Sequence, residues 1–557
     1  MHANNNKKSA KTIKWLKAGA WVLGLALLLF ISLFFFTVWL ENKVERMVSE
    51  QSKGIYKLQL YGLTTSPFIG SLSVDSLRLQ PDYKKWKQLM QQGQEVPRTL
   101  LDLHAGAIHL RNLSYAKALF KQQVQLEEME VLEPKLLLSN MRADTTETHK
   151  PLHETAKGFI QGLGIGKIDV RQASLYYRDG PKGDTLLSVR RFRLAVDDFQ
   201  LDSASYNAKD RAYYAHNYTL EAKDAAYLLP QEYYRFSSDS LYTSTKKGEV
   251  LVQQIKLQPI LSPAELARAK GEAVTHQEVE VEQLTLRNVA FGEHSRTNKL
   301  HVGHVLLQTP ALNAFKDKQN FQDKSNKELP HQLVQRIKTP FLIDSVELKN
   351  GYIRYAELVP KAQERGHITF HQLNAIITNV SNIPEQISVD KPAVVQASSM
   401  VMDRAKLQVT IRLPLLHENC YHSIEGEIGP ANLQMLNPIL IPTAFVELES
   451  GEVRSGRFRA ELNETRASGE MTLLYNNLKV ELLSKGTGGE QSFGKEVLSV
   501  LANKIAIKES NPGEGEKPRT GEITVTRDPK KSVFNYWKEC LSSGFLSSMG
   551  LNGMAEK

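Results

Sequence analysis

From residue 54 onward, apolar and polar residues alternate along much of the chain. In SLSVDSLRLQ, Leu72 and Val74, and in part Leu77 and Leu79, point to one side, and polar residues between them point to the other. Because successive side chains of a β-strand point to opposite faces of a sheet, this period of two predicts strands with one apolar face. The pattern recurs in VQLEEMEVLEPKLLL, LLSVRRFRLAVDDFQL, EVLVQQIKLQ, HITFHQLNAIITNV, AKLQVTIRLPLL and EITVTRD. The sequence therefore predicts a mainly β protein.

Helical patterns are short and scattered among these strands. The strongest begins at Ser262, where Ser-Pro-Ala-Glu combines an N-cap, a proline at the first helical position and a capping box with Glu265. The sequence predicts helices over Glu41–Lys53, Asp82–Gln92, His153–Leu163, Ser262–His276, Gln332–Lys338 and Lys531–Ser543.

One strand-like unit recurs along the chain. The segment IDSVELKNGYIRY aligns with an earlier segment at a shift of 178 residues, so that five apolar positions coincide: Ile343, Val346, Leu348, Ile353 and Tyr355 with Ile165, Ile168, Val170, Leu175 and Tyr177. A shift of 62 residues places Leu284, Leu286 and Phe291 in the positions of Val346, Leu348 and Ile353. A further copy supplies Met129, Val131 and Leu136. The pattern indicates a β-structure built from repeats.

Each copy changes phase in its middle. Val346 and Leu348 share one parity and Ile353 the other, so an Asn350-Gly351 turn or a bulge in a continuing strand would return all three to one face. The other copies carry Gln172-Ala173, Asn288-Val289 and Glu133-Pro134 at this point, which are poor in a turn that needs positive φ. We therefore expect a bulge or sharp bend.

The N-terminus contains an uncharged apolar segment. Residues 18–40, AGAWVLGLALLLFISLFFFTVWL, lie between Lys17 and Glu41 and are long enough to cross a bilayer as a helix. Five lysines precede this segment and glutamates follow it, which places the N-terminus in the cytoplasm. We expect a basic cytoplasmic tail over residues 1–17, a single membrane-spanning helix over 18–40, and the bulk of the chain on the other side.

This topology changes the meaning of the net charge of +9. Residues 1–40 carry five lysines and no acidic residue, so much of the positive charge belongs to the tail. We expect no nucleic-acid partner.

Motifs for catalysis or metal binding are weak. The segment GGEQSFGKE resembles a phosphate-binding loop, but Glu496 stands where serine or threonine would ligate magnesium. The pairs His301/His304, His367/His371 and His417/His422 do not form a metal-binding motif, and Cys420 and Cys540 could either pair or remain isolated thiols. We expect no catalytic, cofactor or metal site, and no enzymatic activity.

Three stretches carry a resemblance to a known family. They are GIYKLQLYGLTTSPFIGSLSVDSLRLQPD after the apolar segment, the repeated strand units with EVLEPKLLLSN, and the region that begins LQMLNPILIPTAFVELESGEVRSGRFRAEL and continues to SVFNYWKECLSSGFLSSMG. Together they resemble the AsmA-like, TamB-related envelope proteins of Gram-negative bacteria.

The resemblance implies an inner-membrane protein whose bulk lies in the periplasm. It implies a curled, antiparallel-type β-sheet that forms an elongated groove over residues 41–430, followed by a C-terminal β region with a terminal helix over 431–557. The apolar face of the groove would bind or convey phospholipid. The repeat suggests eight lining residues: Ile168, Val170, Leu175, Leu284, Leu286, Val346, Leu348 and Ile353.

The sequence is also compatible with a second function. Sheet edges and faces of such a protein could instead bind other envelope proteins, as a scaffold or assembly factor.

Overall fold

The computed structural model describes residues 35–121, 123–141, 151–156, 162–229, 231–483 and 507–550. Strands account for 53% of the structure and helices for 19%. The prediction of a mainly β protein with a few short helices is therefore confirmed. The chain forms two compact units, residues 1–222 and 223–557. The border predicted between residues 430 and 431 falls inside the second unit and stays a prediction.

Unit 1 contains ten strands and five helices among its described residues. The strands are β1 (Tyr56–Tyr61), β2 (Thr64–Ser66), β3 (Ser71–Val74), β4 (Ser76–Pro81), β5 (Thr99–Ala105), β6 (Ile108–Arg111), β7 (Gln123–Leu132), β8 (Lys135–Asn140), β9 (Gly162–Asp179) and β10 (Thr185–Gln200). The helices are α1 (residues 35–51), α2 (Tyr83–Gln91), α3 (Tyr115–Lys121), α4 (Leu152–Ala156) and α5 (Ser203–Asn207). Strand β11 (Asn217–Leu229) includes the border between the units.

Most strands of unit 1 come in consecutive pairs separated by a few residues, so that each pair forms one long strand with an interruption. In one half of the sheet the order is β1, β4, β5, β8, β9, and in the other half it is β2, β3, β6, β7, β9. The long strand β9 borders both halves, and β10 pairs along its other edge. The breaks lie side by side, because the Gly106 amide donates to the Leu132 carbonyl and the Glu133 amide to the Arg171 carbonyl, at 2.9 and 2.8 Å.

Unit 2 contains fourteen strands and five helices among its described residues. The strands are β12 (Tyr234–Ser244), β13 (Glu249–Pro259), β14 (Thr275–Val289), β15 (Leu300–Gln308), β16 (Ala311–Asp317), β17 (Phe341–Leu358), β18 (Gly366–Ser381), β19 (Ala393–Val401), β20 (Ala405–Leu413), β21 (His422–Ile428), β22 (Ala431–Asn432), β23 (Val446–Leu462), β24 (Arg466–Leu482) and β25 (Gly521–Thr526). The helices are α6 (Pro263–Lys270), α7 (Phe291–Thr297), α8 (Pro330–Arg336), α9 (Asn437–Ala444) and α10 (Val533–Ser548), and Leu433–Leu436 form a 3₁₀ turn before α9.

The strands of unit 2 follow one another across the sheet almost in chain order. The order is β12, β13, β14, then β15 and β16 end to end, then β17, β18, β19, β20, β21, β23, β24 and β25. This arrangement brings residues far apart in sequence into one continuous surface.

The expectation of an antiparallel-type sheet is wrong at two places, because the sheet is mixed. Strands β7 and β8 run parallel to β9, and β15 and β16 run parallel to β17. In both cases a long connection containing a helix, α4 or α8, precedes the parallel strand. Such a crossover gives the chain enough length to return to the starting end of the sheet before it pairs again.

The internal repeat is visible in the backbone. Gln172 and Asn350 both have positive φ, at 53° and 52°, and lie 178 residues apart within strands that continue through them. The bulge expected at these two positions is confirmed. The neighbouring parallel strand is broken in each case by an X-Pro pair, Glu133-Pro134 or Thr309-Pro310.

The hydrogen bonds around the two bulges also match. The amides of Glu133 and Thr309 donate to the carbonyls of Arg171 and Lys349, at 2.8 and 2.9 Å. The carbonyls of Pro134 and Pro310 accept from the amides of Ser174 and Tyr352, both at 2.8 Å. The repeat thus comprises a long bulged strand, β9 or β17, and the parallel strand pair beside it, which is interrupted at the X-Pro residues.

The repeat copy predicted at Leu284, Leu286 and Phe291 is present only in its first half, and the prediction for Phe291 is wrong. Asn288 does have positive φ, at 54°, but β14 ends at Val289 and Phe291 begins α7. The chain turns back into β15 at this point, so Phe291 has no place on the strand.

Several predicted helices are confirmed with shorter bounds. Asp82 caps α2 by accepting from the amides of Lys84 and Lys85, both at 2.9 Å. The Glu265 carboxylate accepts from the Ser262 amide at 3.0 Å, as the capping box predicts. Helix α6 ends at Lys270 because Gly271 takes a left-handed conformation with φ of 72°.

The N-terminal prediction falls mainly outside the described residues. Residues 35–40, the last part of the predicted membrane segment, are helical and form the first described part of α1. Within the part of the chain that the structure describes, no helix is both long and apolar enough to cross a membrane. The phosphate-loop-like segment at Gly489–Lys495 also lies outside the described residues.

Candidate functional site

In unit 1, apolar residues on neighbouring strands face each other and form rows that run across the sheet. Partners that lie directly opposite each other share a face, so a row of apolar partners makes a continuous apolar strip. One row contains Leu58, Leu79, Leu103, Leu136, Leu175 and Val189. A second contains Leu72, Leu110, Met129, Ile168 and Val196, and a third contains Val74, Ile108, Val131, Val170 and Leu194. The predicted residues Ile168, Val170 and Leu175 each belong to one of these rows.

Unit 2 carries three longer rows of the same kind. Row A contains Leu241, Val252, Leu284, Leu307, Leu348, Ala375, Ala397 and Val409. Row B contains Val250, Leu286, Val305, Val346, Ile377, Val395, Ile411, Ile424 and Ala460. Row C contains Phe236, Leu257, Val279, Leu312, Ile353, Phe370, Val401 and Ala405. All five residues predicted in this unit lie in these rows.

The bulge at Asn350 keeps rows A and C on one face. A Cβ atom built on Gly351 would lie 2.8 Å from Cδ2 of Leu348, so residue 351 and Leu348 point the same way. Ile353 has the parity of Gly351 and therefore shares that face. Without the extra residue, Ile353 would point to the face opposite Leu348.

The eight predicted residues are all partly exposed. The same holds for most of their row neighbours between β12 and β18, such as Leu241, Leu307 and Phe370. A residue on the face of a fully packed sheet is normally buried. This part of the apolar face is therefore only partly covered.

Further along the rows the same face is closed. Ile411, Ile424 and Ala460 of row B are buried in a core that includes Tyr536 and Cys540 of α10. Helix α8 contributes Val334 to this core. The apolar face of unit 2 thus changes along row B from partly exposed, at β12–β18, to buried, at Ile411, Ile424 and Ala460 on β20, β21 and β23.

On the face opposite the rows, polar side chains of β17–β24 line a groove of about 1350 Å³. Leu348, Ala375, Ala397 and Val409 of row A also contribute to its lining. Its side chains alternate in charge: Arg457 contacts Glu427 with 3.1 Å between Nε and Oε1, and Arg459 contacts Glu470 at 3.0 Å. Because these ion pairs are well exposed, they contribute little to stability. The groove can present hydrogen-bonding and charged groups to a polar partner.

Asp169 shows how the polar face of unit 1 is built. Its side chain is 1% exposed and lies between two arginines, with Nε of Arg193 at 3.0 Å from Oδ1 and Nη2 of Arg171 at 2.8 Å from Oδ2. The hydrogen bond from Arg193, aided by that from Arg171, holds the pKa of Asp169 below its usual range despite burial. This carboxylate is a structural ion-pair partner on the face opposite the apolar rows.

A buried ionic cluster lies at one end of the apolar face of unit 2. Tyr355 and Glu357 follow Ile353 on the same side of β17, and Lys316 is the direct partner of Glu357 on β16. Glu357 forms an ion pair with Lys318 and accepts a hydrogen bond from the Tyr355 hydroxyl at 2.7 Å.

Two segments from elsewhere in the sequence join this cluster. Asp323 pairs with Lys316 and with Lys531, the latter at 2.8 Å. Lys538 of α10 interacts electrostatically with Glu357, and burial lowers the pKa of Lys538 to about 8. No local motif in the sequence marks this cluster, since its members are spread over more than two hundred residues. It ties α10 and the segment after β16 to the sheet.

The histidine and cysteine candidates do not assemble into a reactive site. No group of three metal-ligating side chains occurs within the described ranges. His301 pairs with Asp344 and His304 with Ser345 and Glu347, all by side-chain contacts on neighbouring strands. Cys420 and Cys540 are free and buried, and burial raises the pKa of both thiols.

Comparison with known proteins adds no family to this description. No model of a known protein family matches the chain, and no curated protein sequence matches it.

Proposed function

We propose that this protein binds or conveys phospholipid along the partly exposed apolar face of its sheet, as a membrane-anchored component of the bacterial envelope. The observation that carries the proposal is the set of rows A, B and C between β12 and β18, where apolar side chains line up across the strands and stay partly exposed. We propose a binding and transfer role without catalysis.

The dimensions of this face suit an acyl chain. Row A crosses six strands from β12 to β18, which at ~4.8 Å per strand gives roughly 24 Å of apolar surface. A single leaflet contributes about 15 Å of the ~30 Å hydrocarbon core, so an acyl chain would fit along the row. Contact with acyl chains would remove from water a surface that otherwise favours aggregation.

The proposed location follows from the N-terminal segment and the resemblance. An uncharged segment over residues 18–40 would hold the chain in the inner membrane, with residues 41–557 in the periplasm. The AsmA-like resemblance supports the same assignment and supports phospholipid as the ligand.

Native mass spectrometry of the full-length chain, released from detergent, tests the proposal. We expect adducts with the masses of phospholipids, and uptake of a fluorescent phospholipid by the delipidated protein. A monodisperse, delipidated protein that takes up no fluorescent phospholipid would refute it.

The polar groove on the opposite face supports a second candidate function, that of an envelope scaffold. Paired arginine and glutamate side chains such as Arg457 and Glu427 could exchange their partners for groups of an extended polypeptide. A photo-crosslinking residue in place of Arg457 would form protein adducts in cells if the groove binds a protein. Absence of protein adducts there, with lipid adducts at Ile353 of row C, would favour lipid transfer alone.

A further inference from the structure

One end of unit 1 exposes several large apolar side chains. Phe68 and Ile69, in the turn between β2 and β3, are 78% and 67% exposed, and Phe120 near the end of α3 is 86% exposed. Isolated exposed apolar residues are common on protein surfaces, but bulky side chains gathered at one place indicate a contact surface.

Contacts place these side chains at the same end of the sheet. The Leu113 amide, just before α3, donates to the Gly70 carbonyl at 2.7 Å, and the Tyr115 hydroxyl donates to the Ser71 carbonyl at 2.6 Å. The β2–β3 turn and α3 are therefore fixed side by side.

Helix α1 reaches the same place. The hydroxyls of Thr37 and Thr65 are 2.8 Å apart, and the rings of Phe36 and Tyr115 are 5.8 Å apart. On this first part of α1, Phe35 and Trp39 are 66% and 47% exposed. We call Phe35, Trp39, Phe68, Ile69 and Phe120 the apolar rim.

Two loops at the other end of the unit 1 sheet are polar. They are the turn DGPKGD at residues 179–184, between β9 and β10, and the segment QGQEVPR at residues 92–98, before β5. In these two described segments, Val96 is the one large apolar residue, and it is buried. These two loops thus lack the exposed apolar side chains of the rim, although Met47 of α1 is 48% exposed beside Glu95 and Pro97.

The sequence before the rim indicates what covers it. Residues 18–34 carry no charge and lead directly into Phe35, the first described residue of the rim. The Lys43 ammonium lies 4.7 Å from the Trp39 ring centroid. Tryptophan and lysine side by side at the end of an apolar segment are typical of the boundary between acyl chains and head groups.

We propose that the apolar rim is a second membrane contact, in which the β2–β3 turn and the end of α3 enter the interface of a phospholipid bilayer beside the N-terminal segment. This inference rests on the membrane-anchored part of the proposed function and not on lipid transfer. Such a membrane contact would hold the first strands of unit 1 against the bilayer surface. Lipid that leaves the membrane would then meet the apolar rows directly.

Site-specific fluorescence in vesicles tests the inference with the full-length chain. Phe68→Cys and Phe120→Cys variants are labelled with an environment-sensitive dye and reconstituted into vesicles of phosphatidylethanolamine and phosphatidylglycerol. Lys182→Cys, at the polar end, is the matched control, and the unsubstituted chain reports any labelling of the buried Cys420 and Cys540.

We expect blue-shifted emission at positions 68 and 120, quenching there by nitroxide-labelled phospholipid, and loss of quenching by aqueous iodide. Position 182 should show the reverse. If dyes at 68 and 120 are as accessible to iodide as the dye at 182, the rim does not enter the bilayer and the inference is wrong. A protein that binds no lipid in the mass spectrum could still show rim insertion, so the two proposals fail separately.

Discussion

Val346 and Ile424 lie in the same row across the sheet of unit 2, yet Val346 is partly exposed and Ile424 is 5% exposed. The difference comes from the helices, because Ile424 belongs to the core that α10 and Val334 of α8 help to form, and Val346 does not. One row thus contains both a candidate ligand surface and a closed core.

This pair provides a matched test of the lipid proposal. We expect Ile424→Glu to lower the free energy of unfolding by roughly 3–5 kcal/mol, because a carboxylate would be buried without a partner. Val346→Glu should cost about 1 kcal/mol or less, since its carboxylate can reach water, but should reduce uptake of fluorescent phospholipid. Urea denaturation and lipid uptake measure the two effects. Equal destabilisation by both substitutions would show that the face is closed at Val346 as well.

The repeated bulge predicts a conformational cost at two distant positions. Asn350→Val and Gln172→Val should each lower the free energy of unfolding by about 1–3 kcal/mol, since a β-branched residue is strained at positive φ. Asn350→Gly is the control and should cost far less, because glycine accepts this conformation. The Asn350 amide, which donates to Asn374 at 3.0 Å, is kept in both variants. A valine variant as stable as the glycine variant would contradict the strained bulge.

Two buried histidines predict a loss of stability at mildly acidic pH. His331 is fully buried and donates from Nε2 to the Tyr421 carbonyl at 3.0 Å, and burial lowers its pKa to about 4. Among the residues that the structure describes, its Nδ1 atom has no hydrogen-bond partner. His422 is neutral in the same way: its Nδ1 donates to the Cys420 carbonyl at 2.9 Å and its Nε2 accepts from Trp537 at 3.1 Å.

Stability falls with falling pH because histidine in the unfolded chain binds a proton below its ordinary pKa of 6.5, whereas buried His331 stays neutral. The stabilisation is complete above pH 6.5 and is lost as the pH falls towards 4. Glutamine at this position can still donate to the Tyr421 carbonyl but does not titrate. We therefore expect His331→Gln to lose roughly 1–3 kcal/mol less of its free energy of unfolding than the unsubstituted protein when the pH is lowered to about 4.5. Denaturation curves across this range measure it. An unchanged pH dependence in the variant would show that His331 does not cause it.

The buried cluster around Glu357 predicts a strong single-site effect with partial rescue. Glu357→Gln should lower the free energy of unfolding by about 3 kcal/mol, because the Lys318 ammonium, whose side chain is 10% exposed, loses the carboxylate of this ion pair. Adding Lys318→Met should recover part of this loss, since it removes the charge that the Glu357 carboxylate had balanced. A double-mutant cycle in urea gives the coupling. If the double variant is no more stable than Glu357→Gln, Lys318 is not the main partner.

The thiols provide a further check on the fold. Burial raises the pKa of Cys540 to about 12 and also raises that of Cys420. We expect neither to react with Ellman's reagent in the native protein and both to react after denaturation. Fast reaction of either thiol under native conditions would mean that the core around α10 opens readily.

The alternation of apolar and polar residues determined the strands, the apolar face and the bulges. At Gln172 and Asn350 the change of phase in the sequence needs one extra backbone residue, and the structure supplies it with a left-handed residue in each strand. The rows through Leu175 and Leu348 follow from this local pattern, because register is set where one face is apolar. The sequence also marked helix starts at Asp82 and Ser262.

Only the tertiary structure decided the direction of β9 and β17, the reversal at Phe291 and the coverage of the apolar face. Strand direction depends on how the connections through α4 and α8 return to the sheet, which the strand pattern does not encode. Coverage depends on α10, whose residues Tyr536 and Cys540 pack on strands more than one hundred residues earlier in the chain. The alternating pattern of Val346 is the same as that of Ile424, so a local pattern alone cannot tell an open apolar face from a closed one.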